Sequence, residues 1–405
     1  MTPRFLIAFS LCLLTAFTSQ GPQSAHAQQT TSTLSSAETP TAPETPNDQV
    51  LTHINNLTSP QFTVRQAASA ALLKQEESQL PALIAARRSL NGEAAVRLSK
   101  LIDTLCTRWF DKHLKTLETT PEKSYAIVFT DWTRFADLVG DEHTAIRLFP
   151  EILRAERALF TARQYQPDTL PAVLETRSKA FAESCNGRQD QPFAVATAMA
   201  LMLIASDTDV RLLRATSSSI SGCLDDPRFH TLVEHGVHFA LLQRLVSAWI
   251  QRPGISPDRP LIFAMQHRLP AGRNVALRVL QAAPRGPRGF YALMCLATLK
   301  NAEDLRFIES LLDSKSIVWP LKGTPAVQGT DSPPNTPDYQ VQLCDVALIT
   351  ALHLRDAAMS LPDVQAVRSE TTLYRLDSLG YQDDVHRRRA LDAYRMRFAP
   401  TQMPQ

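Results

Sequence analysis

Apolar residues recur at helical spacing along nearly the whole chain, from Val50 to Phe398. Over residues 94–117, for example, leucine, isoleucine and tryptophan return every three or four positions, as they do on one face of an α-helix. Runs that alternate apolar and polar residues, which favour strands, are nearly absent, and only 13 of the 405 residues are glycine. The sequence therefore predicts an all-α protein of about sixteen helices joined by short connections.

Local signals predict where individual helices begin and end. Ser59 and Pro60 are placed as the cap and the first turn of one helix, and Gly140 is placed to end another. Asp207 is expected to cap a helix that includes residues 210–213. The apolar stretch Pro192–Ala205 is too short to cross a bilayer, so it predicts a helix that is buried on all sides.

The first 27 residues have the pattern of a secretory signal peptide. Arg4 supplies a positive charge, residues 5–17 are mostly apolar, and Ala25-His26-Ala27 forms a small-residue cleavage site. We expect cleavage after Ala27 and export to the periplasm or the medium, with no membrane span left in the mature chain. An uncleaved N-terminal anchor is the alternative, although the apolar run is short for a span.

The rest of the chain divides into a tether, one domain and a tail. Residues 28–47 are rich in Thr, Ser and Pro, a composition that predicts a disordered tether. Residues 48–398 are expected to form a single helical-repeat domain, and residues 399–405 a flexible tail. The best strand signal, residues 316–321, leads into a long loop over 322–338. Loops of this length are either functional or disordered, and disorder is the more common case.

Charge and motifs limit the classes of function. The 42 Lys and Arg residues nearly balance the 40 Asp and Glu residues, which gives no general electrostatic reason to expect a nucleic-acid partner. The chain contains no G-x-G-x-x-G or Walker A loop, so no nucleotide cofactor is expected. It also lacks a G-x-S-x-G elbow, and the serine run at 217–219 lacks the strand–turn–helix setting of a catalytic serine.

One segment, Ser59–Leu73, resembles the HEAT repeat family. Val64-Arg65 takes the place of the Val-Arg pair that begins the second helix of a HEAT repeat, and small residues follow at 68 and 71. Segments Phe290–Ser314 and Leu343–Leu354 are weaker matches. The resemblance implies an armadillo-type α-solenoid of stacked antiparallel helix pairs. More distantly, the chain resembles exported bacterial HEAT-like proteins. It implies no particular activity.

The sharpest candidate for chemistry is a possible metal site on the segment Arg228–Leu242. If this segment is one continuous helix, His230, Glu234 and His238 share a face at positions i, i+4 and i+8. Imidazole and carboxylate groups at this spacing could hold zinc or a similar ion. The alternative is a solvated polar face on an ordinary amphipathic helix.

Two further features have both a structural and a functional interpretation. The dispersed cysteines favour buried thiols, and if a disulfide forms we expect it between Cys185 and Cys223, near two predicted helix ends. The arginine-rich segment 383–398 is either an anion-binding patch or the capping helix that ends a solenoid.

These observations favour a non-catalytic interaction scaffold of the periplasm or cell envelope, whose partner is a protein or an envelope polymer. The alternative is a metal-dependent hydrolase that uses His230, Glu234 and His238.

Overall fold

The helical periodicity of the sequence is realised in a computed structural model that describes residues 46–119, 128–140, 142–187, 192–282, 286–321, 339–357, 369–370, 373–381 and 383–398. Within these ranges the protein is mostly helical, which confirms the all-α prediction. The helices of the described residues are, in chain order, α1 (Pro46–Asn56), α2 (Phe62–Leu72), α3 (Leu80–Ser89), α4 (Gly92–Thr119), α5 (Trp132–Val139), α6 (Glu142–Ala155), α7 (Arg157–Tyr165), α8 (Leu170–Gly187), α9 (Val195–Ala205), α10 (Arg214–Gly222), α11 (Pro227–His235), α12 (Phe239–Ile250), α13 (Asp258–Gln266), α14 (Ala271–Gln281), α15 (Arg288–Leu299), α16 (Leu305–Glu309), α17 (Leu343–Leu354) and α18 (Asp384–Phe398).

Among the predicted helix boundaries, the one at Gly140 is confirmed, and those at Ser59 and Asp207 are wrong. Helix α2 begins at Phe62 with Gln61 at its cap position, so Ser59 does not cap it and Pro60 precedes its first turn. Gly140 ends α5 in the left-handed conformation, at φ 67°, which a glycine adopts without strain. The helix expected over 207–213 does not form, because α9 ends at Ala205 and α10 begins at Arg214. The Asp207 carboxylate instead accepts a hydrogen bond from the Asp209 amide at 3.0 Å, which closes a local turn.

The core contains helices that are buried around their whole circumference. In α9, every residue from Ala198 to Ala205 is buried, as the apolar stretch 192–205 predicts. Helices α6, α8, α10 and α12 pack around it. In α17, every residue from Leu343 to Leu352 is buried, and α15 and α16 cover it. Both helices therefore depend on their neighbours to exclude water.

Helix packing is mostly between elements that are close in sequence. Many helices contact the next helix, and several also contact the next but one: α8 with α10, α12 with α14, α13 with α15, and α15 with α17. The contact of α5 with α12 joins elements that are further apart in sequence. The unit from Val50 onward shares one hydrophobic core.

Short strands flank the long loop. β1 (Ile317–Leu321) pairs antiparallel with β2 (Tyr339–Gln342), with an irregular register between Ile317 and Trp319. This confirms the strand predicted at 316–321. A second pair joins β3 (Ser369–Glu370) to β4 (Leu373–Tyr374). Helix α16, which precedes the loop, packs against α17, which follows it.

Several predicted segments lie outside the described residues: the signal peptide 1–27, most of the tether 28–47, the 322–338 loop and the tail 399–405. Helix α1 begins at Pro46, so the predicted tether extends two residues too far. Among the helices of the described ranges, none combines the length and the apolar character that a membrane span requires.

Candidate functional site: an arginine-lined cleft

The predicted metal residues do not share one helix. Helix α11 ends at His235, and the backbone of Gly236 is extended, at φ −65° and ψ 155°. A side chain at this glycine would lie 2.5 Å from the Leu232 carbonyl oxygen, so the close approach requires glycine. His238 stands at the start of α12, where it lines a separate small cavity beside Val139. The continuous helix assumed for the metal site is therefore wrong.

A different histidine lies beside His230 and Glu234. His267, which follows α13, is only 1% exposed through its side chain, and its Nε2 lies 2.6 Å from His230 Nδ1. Its Nδ1 lies 3.4 Å from a Glu234 carboxylate oxygen, without the alignment of a hydrogen bond. Burial, and secondly the nearby His230, lower the pKa of His267. No group of three or more His, Cys, Asp or Glu residues suited to a metal is found in the described part of the chain.

The five described cysteines are free thiols, so Cys185 and Cys223 are not joined here. Their helices do pack together, since α8 contacts α10. Burial raises the pKa of Cys223 well above its ordinary value, and the nearby Cys185 raises it further. The sequence therefore predicted that these two thiols lie near each other, and a disulfide bond between them stays a prediction.

The arginine-rich C-terminal helix contributes to the core as well as to the surface. Arg387 of α18 is 6% exposed and donates to the fully buried Asp345 carboxylate at 2.7 Å. Asp345 also accepts the Gln342 amide in a capping box at the start of α17. This arginine therefore fastens α18 to α17 and is not available to an external anion. Arg387 therefore acts as a packing residue of α18 and not as part of an anion-binding patch.

The site that the sequence did not predict is a cleft of about 810 Å³ that is rich in arginine. Three segments line it: residues 208–221, which lead into α10 and form one face of it, residues 252–259, which join α12 to α13, and Arg288 at the start of α15. The described lining includes Arg211, Arg214, Arg252, Arg259 and Arg288, and Asp258 is the one carboxylate among these described residues. We call this cavity the arginine cleft.

Two of the five arginines are neutralised by carboxylates, and one is structural. Arg288 pairs with Asp258 at 3.2 Å, and Arg259 pairs with Asp225 at 2.7 Å. The buried guanidinium of Arg252 donates to the carbonyl oxygens of Ala205 and Val210. It thereby caps the carbonyl end of α9 and holds the turn before α10 in place.

The remaining two arginines carry uncompensated charge into the cleft. Arg211 and Arg214 are exposed, and neither forms an ion pair with any residue that the structure describes. Their positive charge is therefore free to meet a ligand. A planar guanidinium presents parallel N–H groups that match a carboxylate or phosphate.

Helix α10 presents a polar stripe to the same cleft. Arg214, Ser217, Ser218 and Ser221 line it at positions i, i+3, i+4 and i+7, which share one helix face. Ser217 is 7% exposed and Ser221 is 5% exposed. Other helical serines, such as Ser69, bond to a backbone carbonyl in the preceding turn, whereas these two hydroxyls have no hydrogen bond to the residues described. A hydroxyl that lines a cleft and has no partner within the described residues can donate a hydrogen bond to a ligand.

Helices α10, α13 and α15 begin with residues that line the cleft, so the positive ends of three helix dipoles lie beside it. Each N-terminus carries roughly half a positive charge and several free amide groups. The residues at the three cap positions are Leu213, Pro257 and Pro287, whose side chains cannot accept a hydrogen bond from these amides. The backbone therefore adds to the arginine charge and favours an anion.

Only part of this site left a signal in the sequence. The spacing of Arg214, Ser217 and Ser221 indicates one polar helix face, but it does not by itself indicate a ligand. Arg252, Arg259 and Arg288 come from other segments, and nothing in their local sequence indicates that they meet.

Neither a family model, nor a curated protein, nor a solved structure matches this chain. The function is therefore inferred from the chemistry of the chain's own residues.

Proposed function

We propose that this protein is an exported, non-catalytic binding scaffold built from HEAT-like helix pairs, and that it holds an anionic ligand in the arginine cleft. The observation that carries the proposal is the charge of Arg211 and Arg214, unpaired within the described residues, beside the unpartnered hydroxyls of Ser217 and Ser221 in the same cleft. The guanidinium groups and helix N-termini only donate hydrogen bonds and the hydroxyls can donate as well, so the cleft favours a ligand that supplies acceptors.

The helix packing supports a repeat architecture. In a stacked array each helix pair covers the next, so contacts are expected between neighbours and between next-but-one helices. The contacts of α12 with α14, α13 with α15 and α15 with α17 have this pattern. In the segment that resembles a HEAT repeat, Arg65 donates to the carbonyl oxygens of Ser59 and Pro60, both at 2.9 Å, and so braces the start of α2.

The hydrolase alternative finds no support in the site geometry. It needs His230, Glu234 and His238 on one helix face, and the turn at Gly236 separates the third residue from the first two. The arginine cleft is lined by guanidinium groups, serine hydroxyls and helix N-termini, which suits the binding of an anion.

The signal-peptide pattern supports a location in the cell envelope. N-terminal sequencing of the mature protein tests the export. The Ala25-His26-Ala27 pattern predicts a first residue of Gln28. An intact Met1 in the purified protein would contradict the export proposal.

Titration calorimetry with pyrophosphate and citrate tests the anion site. The double variant Arg211→Glu/Arg214→Glu should lower the affinity for both anions by at least about tenfold, since each charge-assisted hydrogen bond contributes roughly 1.5–3 kcal/mol. The control Arg147→Glu/Arg306→Glu makes the same change of net charge at two exposed arginines outside the cleft. Equal loss in both variants would indicate nonspecific electrostatics and overturn the site.

A further inference from the structure

A second, mostly apolar cleft of about 630 Å³ opens beside the arginine cleft. Its walls include Ile250 and Ile255 on one side and Val275, Val279 and Ala282 of the α14 region on the other. We call this cavity the apolar cleft. Its volume lies within the range of roughly 300–1,000 Å³ that is usual for sites of small molecules.

The two clefts are continuous with each other. Residues 252–255, Pro257 and Arg288 line both, so the connection between α12 and α13 forms a shared border. A ligand seated among the arginines therefore needs to extend only across this border to reach the apolar walls. Arg211, Arg214 and Arg259 line the arginine cleft alone, whereas Ile250, Val275 and Val279 line the apolar cleft alone.

The apolar cleft also has a positive charge at its edge, as the arginine cleft does. Arg278 of α14 lines it, is exposed and makes no ion pair within the described residues. Among the residues that the structure describes, no carboxylate lines this cleft. An anion is therefore favoured along the whole border, while the cavity beyond it can exclude water from a hydrocarbon chain.

We propose that the ligand is a single-chain anionic amphiphile, with its phosphate or carboxylate in the arginine cleft and its hydrocarbon chain in the apolar cleft. This inference rests on the proposed anion site and adds the apolar part of the ligand. Head and tail match the two clefts in charge and polarity. A concave pair of cavities encloses one amphiphile molecule, whereas adsorption to a membrane uses a flat or convex face.

Calorimetry with three soluble probes, each below its micelle concentration, tests the inference. Dodecyl phosphate has head and chain, butyl phosphate has the same head with a short chain, and dodecyl maltoside has the chain without charge. We expect dodecyl phosphate to bind at least about tenfold more tightly than either of the others, because the long chain buries apolar surface and the head adds charge pairing.

Two variants assign the parts of the ligand to the two clefts. Val279→Glu should weaken dodecyl phosphate at least about tenfold and leave butyl phosphate within about twofold, because Val279 lines the apolar cleft and not the arginine cleft. Arg211→Glu/Arg214→Glu should weaken both phosphates. The matched control Val96→Glu adds the same carboxylate at an exposed apolar residue of α4, and should change neither affinity. Thermal unfolding of each variant verifies that it is folded.

The outcomes separate the two proposals. Equal affinity for butyl and dodecyl phosphate would overturn the amphiphile and leave the anion site standing. Equal affinity for dodecyl maltoside and dodecyl phosphate would overturn the anion site itself, and the amphiphilic acid with it. Sedimentation with vesicles of phosphatidylglycerol, without binding of monomeric dodecyl phosphate, would assign the charge to a membrane surface and overturn the amphiphile.

Discussion

The buried histidine His267 is a residue whose protonation should oppose folding. Its folded-state pKa is lowered by burial and by His230, while Glu234 acts in the opposite direction. In the unfolded chain a histidine titrates near pH 6.5, so below that pH the unfolded state binds more protons than the folded state. Stability is therefore expected to fall as pH drops below about 6.5, and to level off once His267 is also protonated in the folded protein.

Urea unfolding of His267→Gln at pH 7.5 and at pH 5.0 tests this assignment. The variant should lose less free energy of unfolding between the two pH values than the parent protein does. His235→Gln is the control, because the side chain of His235 is 79% exposed. If both variants kept the full pH dependence of the parent, His267 would not be its source.

Among the charged contacts near the C-terminal end of the described residues, we expect the ion pair of Arg387 with Asp345 to contribute most to the free energy of unfolding. Both side chains are buried, and burial alone raises the pKa of Asp345 while Arg387 opposes that rise. The variant Arg387→Met leaves a buried carboxylate without its cation, so we expect a loss of about 3–5 kcal/mol of unfolding free energy.

Arg395→Met is the matched control on the same helix. Its guanidinium is 45% exposed and pairs with Asp313 and Asp392 at the surface, so we expect a loss below about 1 kcal/mol in urea unfolding. Equal losses for the two variants would show that Arg387 has no special structural role. The sequence could not separate these two arginines, because partners distant in the chain decide which of them is buried.

Among the elements, α14 approaches its neighbours closely at a glycine. A Cβ added at Gly272 would lie 2.6 Å from the Ala264 Cβ of α13 and 2.8 Å from the Cys295 sulfur of α15. Both neighbours are fully buried, so neither can move aside freely. We expect Gly272→Ala to cost about 1–3 kcal/mol in urea unfolding, although alanine is the better helix former.

The control is Gly222→Ala at the end of α10. There a Cβ would have 3.9 Å to its nearest atom, Arg259 Nη1, so the variant should be neutral or up to about 1 kcal/mol more stable. A stabilised Gly272→Ala variant would contradict the close packing of α13, α14 and α15.

Most of the helices could be predicted from the sequence, but several helix ends and the arginine cleft could not. Long apolar periodicity identified α4, α9 and α17, because burial of one face or of all faces leaves a direct pattern. The turns at Asp207 and Gly236 depend on local hydrogen bonds and on one close backbone approach, which the periodicity does not contain. The arginine cleft needs Arg214, Arg252 and Arg288 together, and only the packing of α10, α13 and α15 brings them there.

At the scale of the unit that begins at Val50, the C-terminal elements should not be able to fold alone. All ten residues from Leu343 to Leu352 of α17 are buried, and the helices α15 and α16 that cover them come before the 322–338 loop. β2 likewise pairs with β1, which also precedes the loop. A fragment of residues 340–405 therefore keeps α18 as a partner but exposes most of the apolar surface of α17 to water.

We expect the 340–405 fragment to show no cooperative thermal transition by circular dichroism, and a 48–325 fragment to aggregate or to lose protection from hydrogen exchange in α15 and α16. Co-expression of the two fragments is the control. The complex should regain a cooperative transition, because each fragment supplies the apolar face that the other lacks. If the 340–405 fragment instead unfolded cooperatively as a monomer, the C-terminal elements would form a separate domain, and the single stacked array proposed for this unit would be wrong.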